Sequence, residues 1–462
     1  MKLPHLLVFA VVVPGPLAAQ AIAKTPTPAA EMAPIPADTA TSLVREIVAE
    51  LKTEDLTALQ SHFDENLKVA LPDDKLRGFW TGVRAKGGRL KSCAHPRISW
   101  VGDYTLAFAN CTFEKQEAEL KLTFRSDGRL AGLFIEAGGA SRPDWIAPAY
   151  VTPGAFLERD VHVVSGPMSL PGTLSMPAGG GPFPGVVLVH GSGPQDRDET
   201  IGGFRPFRDL AEGLASRGIA VLRYDKRTRV HQKELAGTRG LTIRQEVIDD
   251  ALAALELLRA TPGVDGSRVF LAGHSLGGTL APRIGVLDGR LAGAVLLAAP
   301  SRPMPEVVRD QARSLLEPGA TEAERLAAPA IQKEAAALAD VYAGRPGPPS
   351  GTILGASVSY WLDLKSQRPL EAARSLGKPL LVLQGERDYQ VSMADFAGWR
   401  KALGSRPGVV LKSYPALNHL FAAGEGRSTP AEYEKPGHVA AEVIEDIAAF
   451  VKKAPRSAAG AP

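Results

Sequence analysis

Ser275 stands in Gly273-His274-Ser275-Leu276-Gly277-Gly278, directly after the apolar run Val269 to Ala272 and ahead of a stretch with helical spacing. A serine hydroxyl is a weak nucleophile at neutral pH, so it needs exposure, a base and a stabiliser for the oxyanion its attack creates. Glycines at 273 and 277 carry no Cβ, so a strand and a helix can approach closely while Ser275 is held in a strained, exposed turn between them. The same turn places the backbone N–H of Leu276 at a helix N-terminus, where it is a donor for developing negative charge. Upstream, His190-Gly191-Ser192-Gly193-Pro194 follows the run Gly185 to Val189, and the backbone N–H of Ser192 is the second candidate donor. His190 reads as a residue that orders this loop.

The base and its acid are expected downstream, in the order serine, acid, histidine. The run Pro379 to Leu383 is followed by Gln384-Gly385-Glu386-Arg387-Asp388-Tyr389-Gln390-Val391, a loop with two carboxylates. Asp388 is the better acid, because an apolar residue follows shortly after a G-x-x-D pattern; Glu386 is expected to pair with a neighbouring base. His419, in Asn418-His419-Leu420-Phe421, lies just past the run Val409 to Tyr414. It would take the Ser275 proton and return it to the leaving group, with Asp388 fixing its tautomer. His438 competes for that role, but its place at the start of a final amphipathic helix predicts a solvated surface position. The catalytic set read from the sequence is therefore Ser275, Asp388 and His419, with an oxyanion hole of Ser192 and Leu276 N–H groups.

Each of these motifs must sit at a strand end. Val161 to Val164 with Leu174 to Met176 reads as a leading hairpin, and Gly185 to Val189, Ile219 to Arg223, Val269 to Ala272, Leu291 to Ala298 and Pro379 to Leu383 read as further strands. Amphipathic helices at Phe207 to Ser216 and Ile243 to Arg259 lie between them. Such alternation specifies an α/β fold with a mostly parallel sheet and helices on both faces, in which ligands bind at the carboxyl ends of the strands. An Ala-, Glu- and Arg-rich insertion at about 301–376 follows the Leu291 strand and is expected to cap Ser275. Its Ile353, Leu354, Tyr360, Trp361 and Leu362 either line an apolar acyl pocket or pack its helices. Arg223 to Thr228 also ends a strand; its charges, with those of Asp196, Arg197, Asp198 and Glu199, read as ordering the entrance loops rather than touching substrate.

At 462 residues the chain predicts two folded units. A small α+β unit at 39–138 shows two helices, with Asp38 or Thr39 capping the first, and then a meander with an Asp127-Gly128 turn. The second unit spans 150–462. Residues 1–21 combine a basic start, a short apolar core and an Ala-x-Ala site, the pattern of a cleaved signal peptide, and 22–38 form a Pro/Ala-rich linker. The expected destination is periplasmic or secreted, where Cys93 and Cys111 either form one disulfide or remain buried thiols. The formal net charge of +3 comes without a basic block, which argues against nucleic acid, and no stretch past the leader is apolar for long enough to span a membrane. Neither a dinucleotide fingerprint nor a phosphate loop is present, and no histidine has metal-type spacing, so no cofactor and no metal are expected.

Residues from about 156 to 452 resemble the α/β-hydrolase superfamily. More narrowly, His190 to Asp198, the Arg223 to Thr228 cluster and the insertion with Tyr360-Trp361 resemble bacterial EstD-type carboxylesterases. The front unit is similar to a small cone-shaped domain of unknown function found ahead of such hydrolases. The resemblance implies hydrolysis of short acyl esters, a small-molecule substrate, through an acyl-enzyme; Pro282, inside the helix after Ser275, departs from the pattern. A serine peptidase, an acyltransferase, or a binding protein acting through the front unit are the competing readings. Oligomeric state is not legible.

Overall fold

The structure is a computed structural model that describes residues 34–101, 104–137, 145–236, 240–318, 320, 322–348 and 351–455. The signal-peptide pattern and most of the linker lie outside these residues. Contacts divide the chain into two units, one containing residues 34–137 with the short helix Gln232–Ala236, the other containing the described residues from Trp145 onward apart from that helix.

The larger unit is built on an eight-stranded sheet. Its strands are β1 (Phe156–Ser165), β2 (Met168–Pro177), β3 (Phe183–Val189), β4 (Ala220–Tyr224), β5 (Val264–His274), β6 (Gly293–Leu297), β7 (Leu380–Gly385) and β8 (Val409–Tyr414). Across the sheet they run β8-β7-β6-β5-β3-β4-β2-β1. Pairs from β4 through β3, β5, β6 and β7 to β8 are parallel, whereas β1 and β2 form the expected antiparallel hairpin and β2 joins β4 antiparallel. A parallel sheet must be covered on both faces, so its central strands are apolar throughout rather than alternating. In β3, Val187 and Val189 enter one core with Leu255, Leu258 and Leu280, while Val186 and Leu188 enter the other with Phe207, Leu214, Val443 and Ile447.

The covering helices are α1 (Pro206–Ala215), α2 (Asp249–Arg259), α3 (Leu276–Asp288), then α4 (Met304–Ser314), α5 (Glu322–Tyr342), α6 (Val358–Ser366) and α7 (Pro369–Ser375) of the insertion, followed by α8 (Met393–Leu403) and α9 (Ala441–Lys453). The helix expected from Ile243 opens instead as a π-helical turn, Arg244–Ile248, that leads into α2. Pro282 does not interrupt α3, which runs unbroken from Leu276 to Asp288. No helix among the described residues is long and apolar enough to cross a membrane.

The smaller unit packs helices on one face of an antiparallel sheet. Its first helix begins at Ala37, inside the stretch read as linker, and no side chain caps it. Pro36, extended at the cap position, supplies the stop, and Asp38 and Thr39 fall within the first turn. Four helices rather than two precede the meander: Ala37–Thr53, Leu56–Ser61, Glu65–Ala70 and Asp73–Gly87. Phe63, which continues the apolar spacing of the second, instead bridges to Leu130, and Asp64 caps the third by accepting from Leu67 N–H at 2.7 Å. The strand Tyr104–Phe113 alternates buried and half-buried residues, turning Ala107, Ala109, Cys111 and Phe113 onto Ile47, Leu59 and Trp80. Cys93 lies opposite Cys111 in the register of the adjacent strands, and the two form a disulfide.

A crosslink closing a loop of 18 residues stabilises a fold by about 3 kcal/mol, mainly by restricting the unfolded chain. The double variant Cys93→Ala/Cys111→Ala is therefore expected to speed amide hydrogen exchange across Tyr104–Phe113 on the order of a hundredfold. Unchanged exchange there would show that the disulfide adds no stability.

Candidate active site

The turn between β5 and α3 is set by what cannot fit there. A Cβ on Gly273 would lie 2.2 Å from Gly277 O, and one on Gly277 would lie 2.1 Å from Val189 O. With no side chain at either position the end of β3, the end of β5 and the start of α3 cross at backbone contact. Ser275, between the glycines, takes φ 51° and ψ −116°, a conformation that a residue with a Cβ enters only when its surroundings enforce it. Its N–H donates to Leu297 O at 2.8 Å and its C=O accepts from Thr279 N–H at 3.0 Å, so the strained residue is tied at both ends.

The loop after β3 runs beside this turn. A Cβ on Gly191 would meet Ser275 Cβ at 3.2 Å, which puts Gly191 against the serine. His190 is buried and donates from Nε2 to Asp196 O at 3.0 Å, the loop-ordering role expected for it. Burial pulls its pKa down to about 4, so it is neutral at ordinary pH.

Asp388 and His419 meet. His419 Nδ1 donates to Asp388 Oδ2 at 2.7 Å, which leaves Nε2 as the ring's free acceptor. The carboxylate is held from three further sides, by Gln384 Nε2 on Oδ2 at 3.0 Å and by the N–H groups of Gln390 and Val391 on Oδ1 at 2.8 and 2.9 Å. Asn418 shapes the histidine loop by accepting from Leu420 and Ala422 N–H. Gly385 lets the two loops touch, since a Cβ there would lie 2.4 Å from Leu417 O. Glu386 turns away and accepts from Ser413 Oγ at 2.7 Å, a hydroxyl rather than the neighbouring base expected of it. His438 is not at this site, nor is it simply solvated. It precedes α9 by three residues and pairs with the fully buried Asp209 at 3.0 Å, which also accepts from Trp145 Nε1 and Val439 N–H.

The charges around the entrance loops face inward. Arg223 bonds Asp198 and Glu158 at 2.9 Å each, Asp225 chelates Arg197 through its guanidinium and its backbone N–H, and Lys226 N–H donates to Gln195 O. This is the ordering role read from the sequence. Large residues of the insertion are likewise taken up by packing. Trp361 is fully buried and donates to Ile353 O at 2.8 Å, Tyr360 donates to Glu246 at 2.8 Å, and Leu362 is exposed.

Sequence reasoning did not anticipate the role of Glu199 and His274. Glu199, buried at 1% exposure, accepts the Gly191 N–H at 2.6 Å. Its second oxygen faces His274 Nδ1 at 3.0 Å, a charge contact without the alignment of a hydrogen bond. From its other nitrogen His274 donates to His419 O at 3.0 Å. One buried pair thus joins the loop after β3, the residue before Ser275 and the histidine loop. Adjacency of His274 to Ser275 was the only signal available.

Burial opposes charging of His274, but the facing carboxylate outweighs it and leaves the imidazole pKa above 6.5; burial opposes ionisation of Glu199 too, and His274 brings that pKa below 4.5. A raised histidine pKa contributes stability that is complete below 6.5 and lost as pH rises through the folded value. A depressed carboxylate contributes above 4.5 and is lost as pH falls through its folded value. The pair is therefore expected to stabilise the fold between these limits. In urea unfolding, Glu199→Gln should fall further below the native protein at pH 6 than at pH 9. A gap that is constant or widens with pH would contradict the pairing.

A model described as "Alpha/beta hydrolase family" matches residues 186–442, over half of the chain. A second, "Protein of unknown function (DUF3887)", matches residues 44–133 in the smaller unit. Esterase EstD of Thermotoga maritima is 37% identical over 406 residues, covering 88% of this chain and 94% of that protein. Among solved structures, the Pyrococcus furiosus esterase Pf2001 is 18% identical and covers 64% of this chain and 91% of its own, with a TM-score of 0.42. Est1E from Butyrivibrio proteoclasticus is 16% identical, covering 64% of this chain and 96% of its own, with a TM-score of 0.41. With a matched model over residues 186–442 and a relative aligned along nearly its whole length, this chain, which carries a glycine-enforced serine turn on a mostly parallel sheet, belongs to the α/β hydrolase family.

Proposed function

We propose that the chain is a serine carboxylesterase that cleaves short acyl esters through an acyl-enzyme. The observation that carries this reading is the fixed tautomer of His419. Its Nδ1–H is committed to a carboxylate that is itself held by three other donors, so Nε2 is left to serve as the base, and the His419 ring lies with its centroid 4.6 Å from that of His274, the residue before Ser275. The resemblance to a protein named Esterase EstD supports the ester as substrate.

In the proposed reaction Ser275 Oγ attacks the ester carbonyl carbon while His419 Nε2 takes the hydroxyl proton. The oxyanion accepts from the N–H groups of Ser192 and Leu276, and Asp388 stabilises the imidazolium. Collapse of the tetrahedral species breaks the bond to the alcohol oxygen, which leaves with the proton from His419. Water then attacks the acyl-enzyme, giving up a proton to His419, and the second collapse releases the carboxylic acid and returns the proton to Ser275. Packing of Ile353, Tyr360 and Trp361 within the insertion favours short acyl groups, because these large apolar side chains are already engaged. An exported setting is part of the proposal, supported by the Cys93–Cys111 disulfide, which persists in an oxidising compartment.

A panel of p-nitrophenyl esters and aminoacyl amides tests the substrate class: acetate or butyrate should turn over fastest, and preference for amides would overturn the reading. Ser275→Ala should lower kcat on the order of 10⁶-fold and abolish labelling by a fluorophosphonate probe. Asp388→Asn should lower kcat on the order of 10⁴-fold, while Glu386→Gln keeps it within about twofold, because its carboxylate faces Ser413. Equal losses in the two carboxylate variants would show that the acid role is misassigned.

A further inference from the structure

The proposed reaction depends on how the Gly191–Ser192 peptide is turned, because its N–H is one of the two oxyanion donors. That peptide is gripped from behind. Gly191 O accepts from Lys226 Nζ at 3.0 Å, while Gly191 N–H, in the preceding peptide, is held by Glu199. In a trans peptide the C=O and the N–H that follows it point in opposite directions. A donor fixed on Gly191 O therefore directs the Ser192 N–H away from the lysine.

Lys226 is an unusual residue to find there. Its side chain is 3% exposed, and its charge is met by Glu246 Oε1 at 3.1 Å, itself 6% exposed. Glu246 also accepts from Thr228 Oγ1 at 3.1 Å and, on its other oxygen, from Tyr360 of α6 at 2.8 Å. It sits in the π-helical turn Arg244–Ile248 that leads into α2, a distortion that often marks a functional position in a helix. Burying two charges carries a large desolvation cost before attraction repays it. A neutral donor on Gly191 O would order the loop without that desolvation.

We propose that Lys226 is a positioning residue for the oxyanion hole, orienting and polarising the Gly191–Ser192 amide so that Ser192 N–H is a stronger donor when negative charge develops on the substrate. This rests on the serine-hydrolase reading above. A cation on the carbonyl oxygen draws amide electron density toward that oxygen and leaves the N–H more positive, and in a low-dielectric site the effect is weakly screened. The benefit is specific to the transition state, since an ester carbonyl accepts a much weaker bond than the alkoxide it becomes. Glu246 and Tyr360 extend the arrangement into the insertion, so α6 is fixed to the same ammonium that fixes the hole.

The test removes both charges while keeping volume. Lys226→Met alone leaves Glu246 buried without its cation and can fail to fold, so the informative variant is Lys226→Met/Glu246→Gln, checked by its thermal unfolding midpoint. Turnover and fluorophosphonate labelling of the native protein test the serine-hydrolase reading, and the ratio of variant to native tests this inference. The folded double variant should show kcat lowered on the order of 10- to 100-fold, less than the loss of a whole donor, with KM within about twofold. Its affinity for an alkyl boronic acid, which forms a tetrahedral anion on the serine, should fall by the same factor as kcat. A purely structural lysine predicts kcat and boronate affinity within about threefold of native, or a loss confined to KM, and either result would overturn the proposal.

Discussion

Val189, Gly273 and Gly277 meet at distances that leave no room for a Cβ, and the rest of the site follows from that crossing. Because β3 and β5 are adjacent parallel strands that end together, the loop after β3 and the turn after β5 leave the sheet side by side. The glycines let α3 start immediately, so Ser275 is raised at its N-terminus with a left-handed backbone that the surrounding hydrogen bonds maintain. An alanine at Gly273 would collide with the start of α3, and one at Gly277 would collide with the end of β3, so either would force α3 away from a strand that it crosses. Everything else positions loops relative to this fixed point. Gly385 repeats the device between the acid and histidine loops, where backbone again packs on backbone.

Buried charge supplies the rest of the positioning. The loop after β3 packs Ile201 and Phe204 into a small apolar cluster with Leu420, Ala422 and Tyr433, and its polar part is held by Glu199, Lys226, Asp225 and Arg223, which contact it through Gly191, Arg197 and Asp198. Ionic contacts of this kind are a weak source of net stability, since desolvation offsets attraction. They are nonetheless directional, and removal of one partner leaves the other charged and buried. The arrangement therefore favours one loop geometry over alternatives more than it favours the folded state over the unfolded one, which suits the oxyanion-donor role proposed for the Ser192 N–H.

Much of this was legible in the sequence because it depends on local pattern. Strands β3 to β7 appear as apolar runs, since both faces of a parallel sheet are covered, and the candidate site residues lie just past strand ends. Ser275, Asp388 and His419 are the candidates read that way, and the structure joins the last two directly. What was hidden depends on partners far apart in the chain. Asp196 to Glu199 read as charges shaping an entrance, because nothing nearby reveals that Glu199 is buried against His274 or that Asp198 meets Arg223. Glu246 and Tyr360, separated by 114 residues, share no motif. In the smaller unit, Asp73–Gly87 buries only Leu76, Trp80 and Gly87, so its helical periodicity is faint, and Pro36 replaced the expected polar cap.

The account stands on the claim that Ser275 and the two backbone donors face one reacting atom. A crystal structure of the native protein treated with an alkyl phosphonate tests it most directly. The account predicts a covalent bond from Ser275 Oγ to phosphorus, with one phosphonyl oxygen within about 2.7–3.1 Å of both the Ser192 and Leu276 nitrogens. An adduct on another residue, or a phosphonyl oxygen held by other donors, would contradict it.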